Sequence, residues 1–110
     1  MSTRAHILIK GGSEQFYVYH HHDGYPEGVG KDLKSYLNNL KWRWYPDDIV
    51  NDLVKGIIDD GYEITSCMHG DEEYLYFIDC DAPQLVGYEI TNCYCTYDDI
   101  MQDKNKVEIP

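Results

Sequence analysis

Cations are scarce in this sequence. Lys and Arg number 9 against 20 Asp and Glu, a formal charge of −11 over 110 residues. Phosphate contacts need clustered Lys and Arg, so direct nucleic-acid binding is not expected. An acidic surface also repels membranes and anionic substrates, and attracts basic partners. Long apolar runs are missing too: none approaches the ~20 residues of a membrane span, and no hydrophobic leader follows Met1. Together with only four Cys, this sets the expected location as cytoplasmic, with reduced thiols. The phosphate-loop, nucleophile-elbow, zincin and dinucleotide signatures are all absent, so an enzyme is not the leading expectation. Phe is rare, at two residues, whereas Tyr reaches eleven. Tyr joins apolar area to a polar tip and suits half-exposed or interfacial positions.

What is present reads as one α+β domain over residues 1–110. The hydrophobic share of 43% and charged share of 26% are those of an ordinary globular chain. Ala5–Lys10 and Phe16–Tyr19 read as strands, joined into a hairpin by Gly11-Gly12-Ser13. Leu33, Tyr36, Leu37 and Leu40 follow helical spacing. Pro46, with Asp47 and Asp48 behind it, suits the start of a second helix carrying Ile49, Val50, Leu53, Val54, Ile57 and Ile58, which Gly61 ends. From Tyr62 the period becomes two. Three antiparallel strands, Tyr62–Met68, Glu73–Cys80 and Leu85–Thr96, are expected as a meander, with the segment from about 98 to 110 an edge strand or tail. The order is therefore ββααβββ, with both helices on one face of an antiparallel sheet.

Register divides the meander. Pairing Met68 with Glu73 and Cys80 with Leu85 places Tyr62, Ile64, Met68, Leu75, Phe77, Val86, Tyr88 and Ile90 on one face. That apolar face is expected beneath the helices. The other face, with Cys67, His69, Tyr74, Tyr76, Cys80, Thr91, Cys93 and Cys95, is expected to lie bare.

Candidate sites follow. The run His20-His21-His22-Asp23-Gly24-Tyr25-Pro26-Glu27-Gly28-Val29-Gly30 mixes titratable and turn-forming residues more densely than any other window. His20 and His22, two apart, with Asp23, supply ligand types for zinc or another divalent ion. A His and a carboxylate also make an acid–base pair. Read as a binding loop instead, the run offers His20, His22, Asp23, Tyr25 and Glu27. A Cys67/His69/Cys93/Cys95 set has zinc-ligand chemistry, but an intervening strand would hold the pairs about 9.5 Å apart. Tyr74 and Tyr76, with Tyr94, Trp42 and Trp44 elsewhere, suggest a docking face for a protein partner or a second copy in a homodimer. The small acidic groups, spread along the chain, would imitate a phosphate track and so suit a nucleic-acid-binding partner.

The segment Tyr19–Gly30, followed by Leu33 and Leu37, resembles one in small proteins of unassigned function from bacteria and their phages. There an aromatic strand ends in a basic residue or His, and Asp-Gly-Tyr-Pro and a Gly lead into a helix. The later pair Tyr74–Ile78 and Leu85–Ile90 is compatible with that layout. The resemblance covers about a sixth of the chain and brings no catalytic residue. It implies a phage or mobile-element setting, in which small acidic proteins bind and block host machinery, here in the host cytoplasm. The expected function is thus a small acidic binding protein, an inhibitor of host defence being one form. The alternative is a metal-assisted or acid–base hydrolase centred on His20, His22 and Asp23.

Overall fold

In the computed structural model, which describes residues 3–40, 45–66, 72–82, 84–90 and 96–110, the glycine pair turns the chain as expected. β1 (Ala5–Gly11) and β2 (Glu14–His20) form an antiparallel hairpin in which Gly11 faces Glu14. A π-helical turn, Pro26–Gly30, runs directly into α1 (Lys31–Leu40). Leu33 and Leu37 of α1 are buried, with Tyr36 and Leu40 packed beside them. α2 (Pro46–Asp59) starts at Pro46 with Asp47 and Asp48 in its first turn, where carboxylates meet the positive end of the helix dipole. It ends at Gly61, whose φ of 92° belongs to the left-handed region. The Gly61 amide donates to the Ile58 carbonyl and the Tyr62 amide to that of Ile57, satisfying the last helical carbonyls. Among the described residues no helix is long and apolar enough to cross a membrane.

The architecture is α+β, with a six-stranded sheet and helices packed on it, but the sheet is not a hairpin beside a meander. β3 (Glu63–Thr65), β4 (Tyr74–Asp79), β5 (Gln84–Glu89) and β6 (Lys106–Val107) complete the order β3-β2-β1-β4-β5-β6. β3 pairs with β2, Ile64 facing Val18, and does not neighbour β4. β4 instead runs parallel to β1, with Ile7 beside Tyr76. The hairpin is therefore inserted into the middle of the expected meander, and the sheet is mixed. The physical reason is burial. Ala5, Ile7, Leu8 and Ile9 are apolar on both faces, as a central strand requires, and an edge position would leave them wet.

Between β4 and β5 the observed register places Leu75 opposite Tyr88 and Phe77 opposite Val86. This differs by two residues from the expected pairing, so each side chain keeps its face. The coverage of the faces is reversed. α1 and α2 lie over Ile7, Ile9, Val18, Tyr76, Ile78 and Cys80. The Leu75 and Tyr88 face is closed by a short helix, α3 (Tyr97–Ile100), through Ile100, Tyr97 and Met101. Ile64, expected with Leu75, belongs to the α1/α2 face and is 55% exposed at its edge. Both faces bury apolar side chains, each fully buried Leu or Ile contributing about 1.5–3 kcal/mol. α3 has a sequence signal that the strand reading to Thr96 passed over. Thr96 accepts from the Asp99 amide while the Asp99 carboxylate accepts from the Thr96 amide, a capping box.

Candidate functional site: a tyrosine–carboxylate patch

The Asp23–Gly30 connection is held by its own backbone. The Gly24 amide donates to the Thr3 carbonyl at 2.9 Å, and the Val29 amide to that of Asp23 at 2.8 Å. Asp23 takes φ 54°, a left-handed conformation that Asp tolerates better than most residues. A Cβ on Gly28 would overlap the Asp23 carbonyl oxygen, so only glycine lets the turn close this tightly. Pro26, Val29 and Gly30 are buried beneath it. The Tyr76 hydroxyl reaches up through the core and donates to the Gly24 carbonyl at 2.6 Å. Burial pushes the Tyr76 phenol well above its ordinary pKa, so it stays a donor.

Tyr76 is therefore a buried strut and not a docking residue: it is 0% exposed. The bare Tyr74/Tyr76 face expected from sequence does not exist, because α1 and α2 cover it, and a homodimer through Tyr76 loses its surface. Tyr has enough apolar area to fill a core once its hydroxyl finds a partner, and the Gly24 carbonyl supplies one. Tyr74 stacks on Tyr76 at 6.3 Å but sits half-buried at the start of β4.

The structure brings Tyr74 to the same end of the molecule as the loop. Its phenol pKa is raised by burial first, then by the carboxylates of Glu89, Glu73 and Glu27. Tyr25, 40% exposed, donates to Asp23 Oδ1 at 3.1 Å. Its pKa is raised by that bond, then by the Asp23 charge, by burial and by Glu27. Glu27 thus bears on both rings and links the exposed carboxylate beside Tyr25, Asp23, to those beside the half-buried Tyr74, Glu73 and Glu89. Sequence reasoning missed Glu73 and Glu89. The signal for Glu89 lies in register, since Tyr74 pairs with it across β4 and β5.

The histidines do not converge with Asp23. The His20 ring packs on Tyr62 at 4.1 Å, and its Nδ1 contacts the His22 carbonyl oxygen. His22 meets the His21 ring edge-on at 4.7 Å. His21 Nδ1 lies 3.0 Å from the Tyr19 hydroxyl and accepts from Arg4 Nε at 3.3 Å. Among the described residues no three His, Cys, Asp or Glu side chains are grouped to hold a metal ion. The Cys67/His69/Cys93/Cys95 set, Tyr94, Trp42 and Trp44 lie outside the described residues.

A different histidine carries the buried polar chemistry. His6, in β1, is 0% exposed. Its Nδ1 lies 3.5 Å from Glu72 Oε2, whose side chain is 1% exposed. That is an ion-pair separation without hydrogen-bond alignment. On the other side, Nε2 and the Tyr97 hydroxyl are joined at 2.8 Å, and Tyr97 stacks on Tyr17 at 5.9 Å. This carboxylate–imidazole–hydroxyl chain ties β1 and the start of β4 to α3. His6 sits on the face of Leu8 and beside Leu75 of β4, which makes this polar chain a structural tie. No family model matches this chain, and no curated protein or solved structure matches it.

Proposed function

We propose that this chain is a small acidic recognition protein that binds a cationic segment of a protein partner in the cytoplasm. The contact surface is the patch of Tyr25 and Tyr74 among Asp23, Glu27, Glu73 and Glu89. The observation that carries the reading is the pairing of the exposed Tyr25 and half-buried Tyr74 with carboxylates linked through Glu27, on a backbone fixed from beneath. Carboxylates take the charge of Arg or Lys, and Tyr faces take the guanidinium plane. Tyr and Arg are also the residues that concentrate binding energy at interfaces. A fixed loop loses little conformational freedom on binding, which leaves more of the contact energy as affinity. The net charge of −11 steers a basic partner toward the protein, whatever its own ligand. Blocking a basic, nucleic-acid-binding host protein is the form of this activity that the likeness to phage segments favours.

The test is residue-resolved. Octa-arginine titrated into isotopically labelled protein is expected to shift the Asp23–Glu27, Tyr74 and Glu89 amides first and saturably, with Tyr25→Ala weakening the effect. Shifts spread evenly over the acidic surface, unchanged in Tyr25→Ala, would contradict it.

A further inference from the structure

On the same face of the sheet, toward its β5–β6 edge, α1 does not close fully over β5 and β6. A trough of about 290 Å³ remains, with Leu37, Leu85, Val107 and Ile109 along its walls and Lys34 and Lys106 at its rim. We propose that this trough binds a small organic anion with an apolar body, of the medium-chain carboxylate class.

Two observations point to that occupant. The first is shape and lining. The volume lies at the lower end of the ~300–1,000 Å³ of small-molecule sites, which selects a slender ligand. Gly87 forms part of the lining, and a Cβ there would come within 3.1 Å of Val107 Cγ2 and 3.3 Å of Ile109 Cδ1. Glycine therefore lets Tyr76, Val107 and Ile109 pack close against β5 at the floor of the trough.

The second is charge. In a chain of −11 with only 9 Lys and Arg, two ammonium groups flank one apolar trough. Both are lightly held. Lys34 Nζ donates to the Pro110 carbonyl oxygen at 3.3 Å, and Lys106 Nζ pairs with Asp103 at 3.2 Å with both side chains exposed. Exposed pairs of this kind contribute about 0–1 kcal/mol, so a ligand carboxylate displaces them at little cost. The Lys34 contact also shows that its ammonium reaches an oxygen acceptor beside Ile109. A cation or a neutral lipid would use the apolar walls and leave the lysines idle. The carboxylate uses both.

The experiment is a titration of the labelled protein with sodium octanoate, octanol and octyltrimethylammonium. Octanoate is expected to give saturable shifts confined to Leu85–Gly87, Val107 and the Lys34–Asn38 turn of α1. The double variant Lys34→Gln/Lys106→Gln should bind it at least about tenfold more weakly, the size of a lost charge-assisted contact. Asn38→Trp, a change at an exposed helix position that leaves both lysines in place, should block the trough and abolish the shifts. The proposal is overturned by an absence of saturable shifts, by octanol or the cation binding as tightly as octanoate, or by an affinity that neither variant changes.

Discussion

His6 and the His20–His22 run place the same side chain in opposite settings. The run is conspicuous in sequence, yet His21 and His22 are exposed and each ring rests on a neighbour rather than on a shared centre. His6 stands alone in an apolar strand and draws no notice, yet it is fully buried between Glu72 and Tyr97. The difference teaches where polar groups matter to this fold. A surface imidazole keeps its water, whereas a buried one must find partners from distant segments or cost the protein its desolvation energy. Density of titratable residues along the chain marks a loop. Isolation inside a strand marks a structural tie.

The comparison can be broken most forcefully at the tie. His6→Ala removes one member of a buried pair and is expected to lower stability by about 3 kcal/mol or more, read from the urea unfolding midpoint. Joint replacement, His6→Leu with Glu72→Leu, should cost less than the sum of the single changes, because no buried charge is then left behind. Additive losses would show that the two groups do not interact. Gly28→Ala comes next. The overlap with the Asp23 carbonyl forces the loop open and should cost about 1–3 kcal/mol, with broadened signals from Asp23 to Gly30. Tyr76→Phe deletes the bond to the Gly24 carbonyl without altering the ring, an expected loss of about 1–2 kcal/mol together with faster exchange of the loop amides. Smallest of all, His22→Ala should stay within about 0.5 kcal/mol of the parent in thermal unfolding. A loss of 2 kcal/mol or so there would place the run among the structural ties and undo the contrast.

Local pattern carried much of the fold. The hairpin, α1, and both ends of α2 follow from Gly11-Gly12, the Leu33–Leu40 spacing, Pro46 and Gly61, because each depends on residues close in sequence. The parallel pairing of β1 with β4 left no local mark. Ile7 beside Tyr76 is a contact across most of the chain, decided by which strand most needs burial on both faces. Side-chain alternation in β4 and β5 survived a two-residue error in register, since parity sets the face. Coverage of the faces did not follow from parity, because Tyr76 and Cys80 look half-polar in sequence and become core once α1 and α2 close over them. The candidate site was legible to the same degree. Tyr25, Asp23 and Glu27 are neighbours in the chain, whereas Glu89 joins them only through the strand pairing.

The central claim is that the loop and the start of β4 recognise positive charge as a local patch, beyond the general attraction of an acidic protein. Two variants with equal changes in net charge separate these. Asp23→Asn/Glu27→Gln alters the patch, and Asp59→Asn/Asp60→Asn alters exposed positions at the end of α2. Affinity for octa-arginine, measured across a salt series, should fall about tenfold or more for the patch variant, the scale of one lost charge-assisted contact. It should barely move for the α2 variant. Equal losses in both would contradict the claim and reduce the binding to net charge alone.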